Sequence, residues 1–192
     1  MHSILKLAAV KRSTPAMHSA LPDLPLDETI LVRLIKIFST SVSDYFEPVF
    51  KQVGVTEYIF HVLSLLLSYK NNTCSPGELT ELVGTSKANM TRILERMLNQ
   101  GLITKIDVPE DGRRYQIKIT DKGRKIATST VPNLMNSLSD AFSGLSKEEL
   151  TSLISLIEKA LLSLDTSGIN DLHMKLKEEP FIPKELGTHN NE

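Results

Sequence analysis

The sequence predicts a mainly α-helical chain with a small β-hairpin, and three observations predict it. Two short capped helices follow one another between Ser75 and Gly101, an alternating basic strand pair comes directly after them, and long apolar stripes at helical spacing lie on both sides.

The caps place the two short helices. Ser75-Pro76-Gly77-Glu78 puts a side-chain acceptor at the N-cap, proline at the first helical position and glutamate three residues after the cap, the set that satisfies the donors opening a helix. Leu79, Leu82 and Val83 form a small apolar face, and Gly84 suits the left-handed position that stops it. Ser86 caps the next helix, in which Met90, Ile93, Leu94, Met97 and Leu98 follow an unbroken helical series up to Gly101. With that stripe inward, Ala88, Arg92, Glu95 and Asn99 face the other way, and Lys87, Asn89 and Thr91 flank them near the N-terminal end. On its own such a face is more often merely solvated.

The following segment changes that balance. Leu102, Thr104, Ile106 and Val108 alternate with Ile103, Lys105 and Asp107, and Tyr115, Ile117 and Ile119 alternate with Gln116 and Lys118. Between these strands lies Pro109-Glu110-Asp111-Gly112-Arg113-Arg114, a turn with two arginines at its tip. A helix-turn-helix followed by an arginine-tipped hairpin is a winged reading head. The N-terminal residues of its second helix enter the major groove, and a tip arginine reaches the adjacent minor groove, whose negative potential attracts it. The DNA-contacting residues expected from this are Ser86, Lys87, Ala88, Asn89, Thr91 and Arg92, with Arg113 in the minor groove, Asp111 orienting it and Arg114 on phosphate.

These features resemble the MarR family of winged helix-turn-helix transcription regulators, and within it the EmrR (MprA) type of efflux regulator. The resemblance is carried by Val55-Thr56-Glu57-Tyr58-Ile59-Phe60, the Ser75 to Gly101 helix pair with Thr85-Ser86-Lys87-Ala88-Asn89-Met90-Thr91-Arg92, Asp111-Gly112-Arg113-Arg114, Ile119-Thr120-Asp121-Lys122-Gly123 and the position of Pro132. It covers about residues 28 to 165. It implies a homodimer on a pseudo-palindromic operator of double-stranded DNA, repression rather than activation, and a small aromatic or lipophilic effector bound between the dimer helices and the winged domain. Phe38, Tyr45, Phe46, Tyr58 and His61 are the expected walls of that crevice, although aromatic residues on amphipathic helices more often belong to the core.

Composition agrees with this reading. The chain has 192 residues, 41% of them hydrophobic, enough for one core and an interface. Its formal net charge of −1 conceals a basic stripe: Ser86 to Lys125 holds ten Lys/Arg against five acids, net +5, which leaves −6 for the remainder. A local stripe of this kind favours phosphate neutralisation and counterion release. The lone Cys74 excludes an internal disulfide and fits a reducing cytoplasm. It precedes a helix cap, where a thiol pKa can fall, and some relatives sense oxidants through cysteine, but a structural thiol is the stronger expectation. No run is apolar enough for a membrane span, and Met1 to Val10 does not read as a signal peptide.

Outside the reading head, Ile30, Leu31, Leu34, Ile35, Phe38, Val42, Tyr45, Phe46 and Val49 recur at helical spacing after a Pro22 to Pro25 linker. A second helix starts at Gly54-Val55-Thr56 and runs through Tyr69, and a third connects Asp121 to Phe142, kinked or broken at Pro132. Ser146-Lys147-Glu148-Glu149 is another capping box, leading into Leu150, Leu153, Ile154, Ile157, Leu161 and Leu164. The expected organisation is a flexible leader over 1–25, a dimerisation helix over 26–54, the winged helix-turn-helix domain over 55–125, C-terminal dimerisation helices over 126–165 and a polar tail over 166–192.

Catalysis and metal binding find little support. Glu57 and His61 share a helix face, but no Cys-His cluster, Gly-rich phosphate loop or G-x-S-x-G elbow is present, so neither an enzyme nor a metal or cofactor is expected. The competing class is a winged-helix protein-interaction module without a specific operator. Replacing Arg113 by Ala is expected to lower operator affinity while leaving a folded dimer, and a gel-shift series with unchanged binding would remove the role assigned to Arg113.

Overall fold

The computed structural model describes residues 3–69, 71–107 and 115–164. Seven helices and three short strands run in the order α1 (Ser3–Ala20), α2 (Leu26–Gln52), α3 (Glu57–Ser68), β1 (Thr73–Cys74), α4 (Pro76–Val83), α5 (Lys87–Asn99), β2 (Ile103–Asp107), β3 (Tyr115–Ile119), α6 (Asp121–Ala141) and α7 (Lys147–Leu164).

Side-chain caps start the helices where the sequence places them. Thr56 accepts the Ile59 N–H, Ser75 that of Glu78, Ser86 that of Asn89 and Thr120 that of Gly123. Gly84 and Gly101 both take φ of +67°, the left-handed turn open to glycine. At each end the chain closes a paired carbonyl lock. Gly84 and Thr85 donate to Glu81 and Thr80, while Gly101 and Leu102 donate to Leu98 and Met97.

The core lies beneath the α4–α5 pair and the hairpin. Ile59, Leu63 and Leu66 of α3, Leu79 of α4, Met90 and Met97 of α5, Leu102, and Ile103 and Ile117 of the sheet are fully buried against one another. The sheet is antiparallel with strand order β1-β3-β2, and Ile103 faces Ile119 while Lys105 faces Ile117. The two longer strands match the expected hairpin. The third, β1, is an addition: Thr73 and Cys74 pair with Lys118 and Ile117 and give β3 a partner on its second edge. Two residues carry no alternation from which a strand could be read.

Three expectations need revision or lie beyond view. The supposed flexible leader contains α1, which packs on α2 through buried Val10 and Thr14. The Thr14 hydroxyl donates to the Val10 carbonyl at 2.8 Å and accepts from Arg33 of α2 at 2.7 Å. Half-buried Lys6 pairs with exposed Asp44 at 3.5 Å. Pro132 does not break α6, which continues from Asp121 to Ala141. Val108, the 109–114 turn, including Asp111, Arg113 and Arg114, and the 166–192 tail lie outside the described residues.

Gly123 marks a close approach between the start of α6 and its neighbours. A Cβ there would overlap the Leu102 carbonyl oxygen and come within 2.9 Å of Ile119 Cγ1 and 3.0 Å of a Leu63 methyl. Gly123→Ala is therefore expected to cost about 1–3 kcal/mol through overpacking, lowering Tm by roughly 2–10 °C. An unchanged melting curve would contradict this packing.

Candidate nucleic-acid interface

Helix α5 divides cleanly into two faces. Met90, Ile93, Leu94 and Met97 are buried, whereas Lys87, Ala88, Thr91, Arg92, Glu95 and Asn99 are exposed. The inward stripe therefore holds the opposite face toward solvent, with Ser86, Lys87 and Ala88 at the end where the peptide dipoles favour an anion. Among the described residues the ion pairs are Lys6–Asp44 and Lys51–Glu47, and neither Lys87 nor Arg92 pairs with a described carboxylate.

Not every polar group on this face is equally free. Asn89 is half-buried, and its Nδ2 donates to Thr85 Oγ1 at 2.8 Å, tying the first turn of α5 to the preceding turn. The Ser86 hydroxyl oxygen caps the Asn89 N–H at 3.2 Å, and Thr91 Oγ1 donates to the Lys87 carbonyl at 3.0 Å. Lys87 and Arg92 are thus outward cations on the N-terminal half of the helix, while Asn89 and Ser86 also shape its start. At the other end Lys122 Nζ donates to the Gln100 carbonyl at 2.8 Å and Thr120 Oγ1 to that of Gly101 at 2.8 Å, which fastens α5 to the root of α6.

The base of the wing is braced by a cation over an aromatic ring. Lys105 Nζ of β2 stands 4.7 Å from the Tyr115 ring centre on β3, across the last described residues before the tip.

Of the five residues expected to wall an effector crevice, Phe46 lies in the core, where its ring meets Tyr45 edge-on at 5.1 Å, while Phe38, Tyr45, Tyr58 and His61 are exposed. Of these, Tyr58 alone lines an open groove of about 600 Å³ between the C-terminal end of α2 and the start of α3. Its other walls include Asp44, Glu47, Lys51, Glu57 and, from the reading helix itself, Arg96. Sequence reasoning missed Arg96 because a groove shared by three helices leaves no mark in local spacing. Glu57 and His61 remain an isolated pair: among the described residues no three His, Cys, Asp or Glu side chains gather as a metal site. No helix among them is long and apolar enough to cross a membrane.

Cys74 is buried at the foot of α4, and its thiol donates to Glu78 Oε2 at 3.2 Å. Burial first, and then the hydrogen bond to Glu78, push its pKa up to about 12. Burial and its bond to Glu78 likewise raise that of the Tyr69 phenol.

A family model described as MarR family matches residues 60–114, the stretch from α3 to just before β3. The transcriptional repressor MprA of Escherichia coli is 29% identical over 143 residues, covering 74% of this chain and 81% of that protein. Two solved structures share the fold. One is a cysteine-to-serine mutant of Escherichia coli MarR complexed with operator DNA, at TM-score 0.63 and 22% identity over 68% of this chain and 93% of that one. The other is a MarR family regulator from Streptomyces coelicolor in complex with DNA, at TM-score 0.69 and 20% identity over 75% and 91%.

The raised thiol pKa carries a sign. Because the folded value exceeds the ordinary one of 9.0, the protonated thiol's contribution to stability is complete below that value and is lost as pH climbs toward about 12. At pH 8 iodoacetamide should modify Cys74 in the folded protein at least about a hundredfold more slowly than in the urea-unfolded chain. Equal rates would show an accessible, ordinary thiol instead.

Proposed function

We propose a ligand-responsive repressor that binds a pseudo-palindromic operator as a homodimer, on the premise that this chain belongs to the MarR family of winged helix-turn-helix DNA-binding transcription regulators. That family comprises transcription regulators and not enzymes. The observation that carries the proposal is the division of α5: a buried apolar stripe behind, exposed Lys87 and Arg92 in front.

In this reading Arg92 and Asn89 meet base edges, Lys87 and the helix start meet phosphate, and Ala88 and Thr91 provide close apolar and hydroxyl contacts. Arg113, oriented by Asp111, takes the minor groove and Arg114 the backbone, as the sequence suggests. Repression is supported by the name of MprA, a transcriptional repressor.

A second copy is supported by apolar surface that the single chain leaves uncovered. Leu31, Val32, Ile35 and Phe38 of α2, Val131, Met135 and Leu138 of α6, and Ile154, Leu156, Ile157 and Leu161 of α7 are exposed, and α7 has no buried residue at all. Exposure on this scale marks an association surface. Pairing through it sets two reading helices about 34 Å apart, one turn of DNA. The groove between α2 and α3 is the proposed effector site, because an occupant there touches Arg96 of α5 as well as the dimer helix. An effector acts only if it fits the DNA-competent and incompetent arrangements unequally.

The test is binding to duplex DNA from upstream of the protein's own gene, against scrambled DNA, across a salt series. Arg92→Ala is expected to cost about 1–3 kcal/mol on the specific duplex, a loss of roughly 5- to 150-fold, and Lys87→Ala to lower the salt slope by about 1. Sedimentation should give a dimer. Monomeric protein without preference for any sequence would overturn the proposal.

A further inference from the structure

The chain contains two Ser-x-x-Glu capping boxes, and they spend their glutamates differently. At α7 the box closes on itself, with the Ser146 N–H donating to Glu149 Oε2 at 2.8 Å and the Glu149 N–H to Ser146 Oγ at 3.2 Å. At α4 only half of it forms: the Glu78 N–H donates to Ser75 Oγ at 3.2 Å, but the Glu78 carboxylate turns away from its own helix. One oxygen accepts from the Tyr69 hydroxyl at 2.5 Å and the other from the Cys74 thiol at 3.2 Å.

Those two donors belong to different parts of the fold. Tyr69 is the residue that ends α3, and Cys74 lies in β1, paired with Ile117 of the central strand. A single carboxylate in the first turn of α4 therefore ties the end of α3, the sheet and the leading helix of the helix-turn-helix to one point. Helix α4 has a small apolar anchor, with Leu79 as its sole fully buried residue and Val83 partly buried beside it. From α4 the chain passes to α5 through Gly84, Thr85 and Ser86, and the Asn89 bond to Thr85 stiffens that passage. Whatever fixes α4 consequently fixes the start of α5.

We propose that Glu78 is a positioning residue for the reading helix, clamping α4 to Tyr69 and Cys74 so that the outward face of α5 meets DNA at one angle. This rests on the proposed DNA-reading role of α5. Residues of the clamp need not touch DNA; they act through the orientation of helices that do. Loss of the clamp leaves the cationic face intact, so non-specific attraction to phosphate survives while sequence discrimination falls.

The experiment compares wild type with Glu78→Ala, Glu78→Gln and Tyr69→Phe by amide hydrogen exchange of the free protein. It also compares their affinities for a duplex selected in vitro from random sequence and for unselected duplex. Glu78→Ala should speed exchange in α4 and the first turn of α5 about tenfold while α2 and α6 keep wild-type rates. It should weaken the selected duplex at least tenfold and the unselected one less than twofold. Tyr69→Phe, which removes one hydroxyl and keeps the ring, should move both readouts the same way by a smaller factor. Glu78→Gln, whose amide oxygen still accepts from Tyr69, should recover most of the loss. Wild-type exchange in α4 and α5 of both Glu78→Ala and Tyr69→Phe would overturn the clamp. Failure of the wild-type protein to select any sequence would sink the DNA-reading role instead, with the exchange rates still deciding whether Glu78 holds these helices.

Discussion

The reading head depends on one shared apolar core. Met90 and Met97 of α5 pack with Ile59, Leu63 and Leu66 of α3, with Leu79 of α4 and with Ile103 and Ile117 of the sheet. An interior packed this densely leaves α5 no freedom to roll about its axis. Rotation would carry a methionine into water and drag Arg92 or Thr91 inward, where an unpaired cation or hydroxyl costs more than the apolar contact returns. The outward face is thus determined from behind. Gly123 shows how tight the arrangement is, since the first turn of α6 lies directly against the carbonyl of Leu102 at the exit from α5.

Where the head begins and ends was legible because the chemistry is local. Ser75, Ser86 and Thr120 are hydroxyls that bond to an N–H three residues on, and Gly84 and Gly101 are needed where φ is positive. Such signals require nothing from the rest of the chain. The α5 stripe is local in the same sense, for five apolar residues at helical spacing specify one buried face whatever they pack against.

What escaped the sequence depends on distant partners. Helix α1 shows little apolar asymmetry around its axis and contains Pro15, so its pattern suggests a leader; it is held by Thr14 meeting Arg33, nineteen residues away. Strand β1 exists because β3 offers a free edge to two residues. The capping glutamate Glu78 was readable as a cap, but its diversion to Tyr69 and Cys74 is set by the path of the chain between α3 and α4. The groove is likewise tertiary: Tyr58 was among its expected residues, whereas Arg96 enters from a helix read for its other face.

The two parts of the chain differ in self-sufficiency, and in the proposed ligand-responsive dimer that difference gives a signal a route to DNA. The head shares one buried core with Phe46 and Phe50 at the end of α2 and Ala127 of α6, while α7 buries nothing and α2 and α6 leave long apolar rows open. In the proposed dimer, then, the shape of each head is fixed internally, and the distance between heads is fixed by the helices beneath them. An effector has no need to unfold a head in order to abolish binding. Two rigid heads read two half-sites only at one separation, so in the proposed dimer a small change in how α2 meets α3 is enough. The groove lies at that junction, with Glu47 and Lys51 on the α2 side and Arg96 on α5. A ligand that bridges these walls in one arrangement and not in the other shifts the population by its difference in affinity, and by no more than that.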